Sequence, residues 1–481
     1  MNLFLRKPIN AILTEAEEGN KLKRYLTTTN LTAVGIGAVI GAGIFVLTGT
    51  AAAQHAGPSL AISFVVSALG CLFAGLCYAE FASTIPVAGS AYTYGYATMG
   101  ELPAWIIGWD LILEYLFGAA TVSVGWSGYV VSLLKDFGIH LPEKICNSPV
   151  IYNSAAGGWE YTGAIINFPA VFVVVFMTAF LVVGIKESAR FNNIVVLIKI
   201  VVILLFIGFG ISYIDTSNWI PFVPANTGSW GNFGISGILA GAGVVFFAYV
   251  GFDAVSTASQ EAKNPQKSMP KAILYTLIIC TILYIAVALV LTGIVNYKYL
   301  DVPAPIALAI DRVGSSLSWL QIIVKVGAIA GLSSVVLVLL YGQSRIFYTM
   351  SQDGLLWKSF SRTHPKFKTP YITSIVVGGL AALLGGLFPI GILGHMVSIG
   401  TLLAFIIVSV GIMILRKKEP DLPRAFRTPL VPLVPILSIV ICLGIMVSLP
   451  LDTWIRLIAW MLIGFVIYFT YSKKHSKIRK F

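Results

Sequence analysis

Charge is scarce in this sequence. Of its 481 residues only 11% are charged, while 57% are hydrophobic. A soluble globular chain carries roughly 25% charged residues, so this chain could not cover its surface in water and a soluble fold is excluded. The apolar residues form long blocks joined by short polar segments. Each block can supply the roughly 20 helical residues that cross a hydrocarbon core about 30 Å thick.

These apolar blocks follow one another along the whole chain. They predict an all-α membrane protein with about twelve transmembrane helices. No low-complexity tract interrupts the series. The predicted spans lie near 31–53, 58–83, 102–134, 166–185, 191–213, 234–258, 272–295, 318–344, 372–389, 391–415, 429–449 and 453–472.

Cysteine is sparse, and the motifs of metal and phosphate sites are missing. Four of the five cysteines fall inside predicted spans and only Cys146 lies in a loop, which excludes a disulfide framework. Without a glycine-rich phosphate loop, a catalytic triad or a metal-ligand cluster, the chain lacks the parts of an ATP-driven pump or a hydrolase. We therefore expect no enzyme activity, no metal and no cofactor beyond an ion gradient.

The basic residues lie mainly in alternate loops. With the N-terminus in the cytoplasm, the outside segments hold little beyond Lys135, Lys144, Lys298 and Arg312. This positive-inside bias predicts cytoplasmic termini and a multi-pass protein of the plasma (inner) membrane. The net charge of +12 therefore reflects topology and does not indicate a nucleic-acid partner. The inside set includes Arg6, Lys7, Lys21, Arg24, Lys186, Arg190, Lys263, Lys267, Lys271, Arg345, Arg362, Lys368, Arg416, Lys417, Arg427, Lys473 and Arg479.

Glycine is concentrated in the first and sixth predicted spans. The first contains Gly35, Gly37, Gly41 and Gly43, and the sixth is glycine-rich from Gly237 onward. For a single glycine, close helix packing is the alternative explanation. Glycine-interrupted spans in corresponding places of two five-helix halves favour an inverted repeat with broken helices. The sixth break is predicted near residues 247–251.

A broken helix leaves backbone N–H groups unpaired at the start of one half and carbonyl groups unpaired at the end of the other. The N–H end suits a carboxylate and the carbonyl end suits an ammonium. Two such breaks facing each other would fit an α-amino acid. The residues predicted to bind it are Ile40, Gly41, Ala42, Gly43, Ile44, Phe246, Phe247, Ala248, Tyr249 and Gly251, with Phe247 as a candidate gate.

Few ionisable residues lie inside the predicted spans, and each costs roughly 2.5–3.5 kcal/mol at the bilayer centre. Lys199 and Glu114 are the deepest. A lysine removed from water can release and regain a proton near neutral pH, as proton coupling requires; snorkelling to an interface is the alternative. Glu114 is a second proton-handling candidate or a structural partner, and Asp253 is a supporting residue at the sixth break. Asp110, Lys325 and Arg456 are predicted to be interfacial anchors.

The motifs along the chain resemble those of the amino acid–polyamine–organocation (APC) permease superfamily, and within it the bacterial relatives of the cationic amino acid transporters. The segment 41–45 (GAGIF) is similar to the family's carboxylate-binding break, and 247–253 (FAYVGFD) is similar to its sixth-span break. The other similar segments are 86–92 (PVAGSAY), 109–115 (WDLILEY), 261–265 (EAKNP) with 270–273 (PKAI), 345–350 (RIFYTM) with 353–354 (DG), 398–402 (SIGTL) and 426–429 (FRTP).

The resemblance implies the five-plus-five inverted-repeat fold of leucine-transporter-type carriers with two C-terminal helices added. It also implies that Lys199 stands where sodium-driven relatives hold a sodium ion. Ser333 and Ser334 argue the other way, because hydroxyls there help to bind sodium in such relatives. The implied organisation is a cytoplasmic segment 1–30, a first repeat 31–213, a second repeat 234–415, two helices in 428–472 and a cytoplasmic tail 473–481.

The resulting hypothesis is a secondary transporter that imports L-amino acids by proton-coupled symport through alternating access. Small neutral and cationic amino acids both stay open as substrates. Sodium-coupled symport and amino acid exchange are the alternatives within the class. A transporter-like amino acid-sensing receptor is the rival from another class. Membrane lipid surrounds the protein, and the sequence identifies no accessory subunit and no lipid or sterol site.

Overall fold

The computed structural model describes residues 3–9, 12, 26–85, 90–153, 158–183, 189–257, 262–367 and 369–480. Most of the predicted segment 1–30 lies outside these ranges. The same is true of motif residues 86–89 and 261 and of the basic residues Lys21, Arg24, Lys186 and Lys368.

Most of the described chain is helical, as the apolar composition predicts. The principal helices are α1 (Thr28–Val39), α2 (Thr48–Ala51), α3 (Leu60–Thr84), α4 (Ser90–Thr98), α5 (Glu101–Asp136), α6 (Phe168–Val183), α7 (Ala189–Gly210), α8 (Gly234–Val245), α9 (Ala254–Thr257), α10 (Pro265–Ile294), α11 (Pro305–Val313), α12 (Ser318–Gln352), α13 (Tyr371–Leu387), α14 (Ile390–Lys418), α15 (Leu433–Ser448), α16 (Leu451–Ile467) and α17 (Lys473–His475).

Shorter helical turns and one hairpin complete the described structure. Strands β1 (Val150–Asn153) and β2 (Gly158–Tyr161) pair antiparallel, with Val150 opposite Tyr161. Turns with 3₁₀ geometry are Gly57–Ser59, Glu143–Ile145, Ile211–Tyr213, Thr216–Trp219, Phe246–Tyr249, Tyr297–Tyr299, Ser315–Leu317, Lys358–Ser361 and Lys477–Lys480, and turns with π geometry are Gly43–Leu47, Ala52–Ala56 and Tyr468–Ser472.

Seven helical stretches in the described chain are long and apolar enough to cross a membrane. They are Gly43–Thr84, Glu101–Asp136, Ile194–Tyr213, Pro265–Ile294, Ser318–Gln352, Ile390–Lys418 and Leu451–His475. Four shorter apolar helices accompany them: Phe168–Val183, Gly234–Tyr249, Tyr371–Leu387 and Leu433–Ser448. A membrane protein of many helical crossings is therefore confirmed, and the count of twelve stays a prediction.

Helix α5 packs closely against α12 because glycines on α5 face larger side chains on α12. A Cβ atom at Gly108 would lie 2.8 Å from the Met350 side chain, and one at Gly118 would lie 3.2 Å from Leu339. Small residues allow backbones to approach in this way where apolar burial gives no net attraction between helices. The long helix α5 thus lies inside the bundle, where it also contacts α14.

One end of the bundle, which we call the termini face, carries both ends of the described chain. The backbone N–H of Glu101 donates to the carbonyl of Leu5 (3.0 Å). The Glu101 carboxylate accepts from Arg479 Nε at 2.9 Å, and Lys7 Nζ lies 3.1 Å from Asp353. These bonds join the N-terminal and C-terminal segments to the ends of α5 and α12.

The opposite end, the hairpin face, contains β1, β2 and the far end of α5. There Lys325 is fully buried and its Nζ lies 2.6 Å from Asp136 and 3.8 Å from Asp311. The interfacial position of Lys325 stays a prediction; the side chain itself is buried and pairs with Asp136 and Asp311, whose side chains are 23% and 38% exposed at this end of the bundle. Asp301 accepts from Gln54 at 2.8 Å, which ties the loop after α10 to the turn after α2.

Candidate substrate site

The first predicted span is interrupted where its glycines cluster. Helix α1 ends at Val39, and Ile40 adopts an extended conformation with φ −72° and ψ 100°. Helical geometry resumes in the turn Gly43–Leu47. The backbone polar groups on the two sides of this interruption cannot all be satisfied within one helix. The predicted residues Ile40, Gly41, Ala42, Gly43 and Ile44 all lie at the interruption and are buried.

The sixth predicted span is interrupted as well. Helix α8 ends at Val245, a 3₁₀ turn covers Phe246–Tyr249, and α9 begins only at Ala254. Gly251 has φ +110°, a backbone conformation that residues with a Cβ atom rarely adopt. The predicted break near 247–251 is confirmed. It places Phe246, Phe247, Ala248 and Tyr249 in the turn that precedes it, all buried.

The two interruptions are in direct contact. A Cβ atom at Gly43 would lie 2.7 Å from the backbone N of Ala248 and closer still to its Cα. The Tyr284 hydroxyl lies 3.0 Å from the Val39 carbonyl and 2.9 Å from the Ala248 carbonyl. Because a hydroxyl has one proton, it donates to one of these carbonyls at a time. Tyr284 on α10 therefore bridges the two breaks, a position that no motif in the sequence indicated.

Replacing Tyr284 with phenylalanine should weaken the link between the interruptions without opening a cavity. The loss of one neutral hydrogen bond is worth about 1 kcal/mol, so we expect transport efficiency, measured as kcat/KM in proteoliposomes, to fall about three- to tenfold. Tyr275→Phe is the matched control, because Tyr275 lies on the same helix with 50% of its surface exposed. Equal effects of the two substitutions would contradict the bridging role.

Lys199 is fully buried on α7. Its Nζ donates to the carbonyls of Gly37 (2.7 Å) and Ile40 (3.0 Å), at the C-terminal end of α1. Its aliphatic stem passes along α12, where a Cβ atom at Gly331 would lie 3.1 Å from Lys199 Cε. The side chain therefore reaches the interruption from a neighbouring helix and does not extend to an interface. The negative ends of the α1 backbone dipoles favour a cation at this point.

The two serines on α12 make hydrogen bonds within that helix. Ser333 Oγ donates to the carbonyl of Ile329 at 2.8 Å and accepts from Trp126 Nε1 at 2.9 Å. Ser334 Oγ donates to the carbonyl of Gly331 at 2.9 Å. Trp126 on α5 was not singled out from the sequence, because a tryptophan in an apolar span usually packs against lipid or protein.

Aromatic rings surround the second interruption. The Phe246 ring lies 5.6 Å from that of Phe405 on α14, measured between centroids. Tyr249 lies 5.4 Å from Tyr284 and donates its hydroxyl to the Phe64 carbonyl at 3.2 Å. Phe247 is 5% exposed, and its role as a gate stays a prediction.

The predicted acids lie on the termini-face side of these breaks. Asp253 accepts a hydrogen bond from the Tyr115 hydroxyl at 3.1 Å. Glu114 is 1% exposed and its carboxylate lies beside Thr401 on α14. Asp110, predicted as an interfacial anchor, is instead fully buried beside Gly400, because α14 covers that face of α5.

In the part of the chain that the structure describes, no group of three or more His, Cys, Asp or Glu side chains is placed to hold a metal ion. Long apolar helices, two of them interrupted where they meet inside the bundle, are typical of membrane transporters. The geometry thus defines a multi-pass membrane protein with a buried place where backbone polar groups of two helices converge.

Comparison with known proteins identifies the family. The amino acid permease family model matches residues 26–468, and this chain belongs to that family. It is 48% identical over 480 residues to the branched-chain amino acid permease BcaP of Bacillus subtilis (strain 168), covering 100% of this chain and 99% of that protein. It is 47% identical over 479 residues to the methylthioribose transporter of the same organism, covering 100% of each chain.

A more distant relative is cationic amino acid transporter 4 of Mus musculus. The identity is 38% over 415 residues, which cover 86% of this chain and 63% of that protein. The predicted resemblance to the APC permeases and the cationic amino acid transporters is therefore confirmed. The chain is a transporter and not an enzyme, and its family implies an amino acid as a small-molecule substrate.

Proposed function

We propose that this protein imports L-amino acids by proton-coupled symport, through alternating access of one site to the two membrane faces. The proposal includes twelve crossings, with repeats at 31–213 and 234–415 followed by helices in 428–472. It places the termini face in the cytoplasm, since Lys7 and Arg479, which are predicted to lie inside, pair with acids on that face. Support for the transport class comes from the amino acid permease family match.

The substrate is proposed to bind between the two interruptions. Backbone N–H groups at the start of the turn Gly43–Leu47 would hold the carboxylate, and carbonyl groups of the turn Phe246–Tyr249 would hold the ammonium. Ile40, Gly41, Ala42 and Ile44 complete the first side of the site, and Gly251 permits the second turn. The contact between Gly43 and Ala248 supports this arrangement, because it keeps both half-helix ends within reach of one small zwitterion.

One observation carries the coupling proposal: the Lys199 ammonium lies on the Gly37 and Ile40 carbonyls. A protonated lysine would stabilise the interrupted α1, and its deprotonation would remove that support. The Ser333 and Ser334 hydroxyls both donate to carbonyls of their own helix and keep oxygen lone pairs that can bind a cation, so sodium-coupled symport stays the alternative. Glu114, with Asp253 as a supporting residue, would relay protons on the termini-face side.

Uptake by proteoliposomes containing the purified protein tests this function. Labelled leucine, alanine, lysine and methylthioribose are supplied with an imposed pH gradient, a sodium gradient or neither. We expect amino acid accumulation that requires the pH gradient and is indifferent to sodium. Uptake that needs sodium, or that needs only amino acid on the opposite side, would instead identify a sodium symporter or an exchanger.

Two other results would contradict amino acid transport itself. Accumulation of methylthioribose alone would show that the interruptions do not require a zwitterion. Binding of amino acids without any uptake, measured as a rise in unfolding temperature, would favour an amino acid-sensing receptor.

A further inference from the structure

The C-terminal segment of the chain is rich in positive charge. Five of the eight residues 473–480 are lysine or arginine, and the segment directly follows α16 and the turn Tyr468–Ser472. We call these eight residues the basic strap. Neither the proposed substrate site nor the proposed coupling residues use it.

One side of the basic strap is fixed to the protein. Ser476 Oγ donates a hydrogen bond to the Glu101 carboxylate at 2.5 Å, and Arg479 Nε donates to the same group at 2.9 Å. The backbone N–H of Lys477 donates to the Asp353 carbonyl at 3.0 Å. Because Glu101 begins α5 and Asp353 follows α12, the strap lies across the ends of two long helices. Its position is therefore set by the fold.

The lysines of the basic strap lie on its other side. Lys474 and Lys477 are exposed. Lys473 is half-buried, and its Nζ lies 5.7 Å from the centre of the Phe469 ring. In the part of the chain that the structure describes, none of these three lysines forms an ion pair. The positive charge on this side of the strap is thus left for a partner outside the chain.

The lysines follow the end of an apolar stripe that faces away from the bundle. The stripe extends along α16 and the next turn with a member every three or four residues, so it lies on one side of the helix. Each member is at least 48% exposed: Ile455, Ile458, Leu462, Val466 and Phe469. From Ile455 to Lys473 the helix rises about 27 Å, close to the hydrocarbon thickness of about 30 Å. This length places the strap lysines at the level of the lipid headgroups.

We propose that the outer side of the basic strap binds the headgroups of anionic phospholipids in the leaflet at the termini face. Phosphate oxygens carry the opposite charge and accept hydrogen bonds from ammonium groups. The acyl chains of the same lipids would lie along the apolar stripe. Because the bonds to Glu101 already hold the strap in place, binding needs little further ordering of the chain. This inference goes beyond the proposed transport function and does not depend on which solute is transported.

Native mass spectrometry of the full-length protein in detergent tests this surface. Phosphatidylglycerol and phosphatidylcholine with the same acyl chains are the two probes, and the ratio of their binding constants is measured. We expect the wild type to prefer phosphatidylglycerol. A lysine next to the membrane contributes about fivefold to such a preference. The triple variant Lys473→Gln, Lys474→Gln and Lys477→Gln should therefore lower the preference about tenfold or more.

A matched triple variant removes three exposed lysines elsewhere at the termini face: Lys366→Gln, Lys417→Gln and Lys418→Gln. Its net charge equals that of the strap variant. We expect the preference to change less than about twofold, because these lysines do not continue the apolar stripe of α16. Phosphatidylglycerol should also raise the unfolding temperature of the wild type, since a bound ligand stabilises the folded state. Glycerol 3-phosphate, which lacks acyl chains, should not raise it at the same concentration.

Four results would overturn the lipid surface. The wild type could bind the two lipids equally, the strap variant could keep its preference, or the matched variant could lose the preference to the same extent. Glycerol 3-phosphate could also stabilise the protein as well as phosphatidylglycerol does, which would indicate a site for a free phosphate. If the strap variant does not yield folded protein, Lys474→Gln with Lys477→Gln must lower the preference about fivefold or more.

Discussion

Replacing Lys199 by methionine should abolish amino acid uptake driven by a pH gradient while leaving the protein folded. The substitution keeps an unbranched side chain beside Gly331 and removes the ammonium from the Gly37 and Ile40 carbonyls. Each of these charge-assisted hydrogen bonds is worth about 1.5–3 kcal/mol. We therefore expect gradient-driven uptake to fall about tenfold or more, to the rate measured without a gradient.

Lys199→Arg separates charge from proton exchange. Arginine keeps the positive charge and cannot be deprotonated in a protein. If coupling needs release of the proton, the arginine variant also loses the response to pH, although it retains a cation at the interruption. Lys298→Met, which alters an exposed lysine in the loop after α10, should behave like the wild type.

Unfolding temperatures of all three Lys variants show whether lost uptake reflects lost structure. A pH response in Lys199→Met or Lys199→Arg that equals that of the wild type would disprove the coupling role. The amino acid site could still operate, because its proposed contacts are made by the two backbone interruptions and not by the Lys199 side chain.

Gly43→Ala should strongly reduce both uptake and stability, although it adds a single methyl group. The new Cβ atom would lie 2.7 Å from the backbone N of Ala248, and no side-chain rotation relieves a contact with backbone. Overpacking a core typically costs about 1–3 kcal/mol, and we expect the upper end here because the two interruptions would have to move apart. Uptake should fall at least about tenfold and the unfolding temperature should drop.

Two other glycines provide a graded comparison. At Gly41 an added Cβ would lie 3.2 Å from the Val335 side chain, which can shift, so Gly41→Ala should be milder. At Gly379 in α13 an added Cβ would have no neighbouring heavy atom of another part of the described chain within 4 Å. Alanine there should be neutral or stabilising by about 0.5–1 kcal/mol. Transport by Gly43→Ala equal to that of Gly379→Ala would show that the contact between the interruptions is not needed.

The membrane class and the site of both interruptions could be predicted because each depends on local composition. An apolar block longer than the bilayer core can only be a buried or lipid-facing helix. Glycines inside such a block mark positions where the backbone can leave helical geometry. A charged side chain is costly to place in lipid, so the positions of Lys199 and Glu114 inside apolar spans are enough to predict a functional role for them.

The prediction for Asp110 is wrong for a reason that lies outside its own helix. The predicted span 102–134 nearly coincides with α5 (Glu101–Asp136), so the position of Asp110 along the helix was predicted correctly. Its burial is due to α14, which covers it at Gly400. A hydropathy pattern does not indicate which helix will cover a given residue.

The sequence by itself determined a mostly helical membrane protein with two interrupted helices and a lysine far inside a predicted span. Each of these features follows from hydropathy, glycine content or a buried charge, which depend on only a few neighbouring residues. Only the tertiary structure decided which groups meet. It brought Lys199 to the carbonyls of Gly37 and Ile40 and Tyr284 to both breaks, and among the described residues it gave Asp110 no hydrogen-bond partner. Those contacts join residues far apart in the chain, and their partners are set by helix packing, which local patterns do not specify.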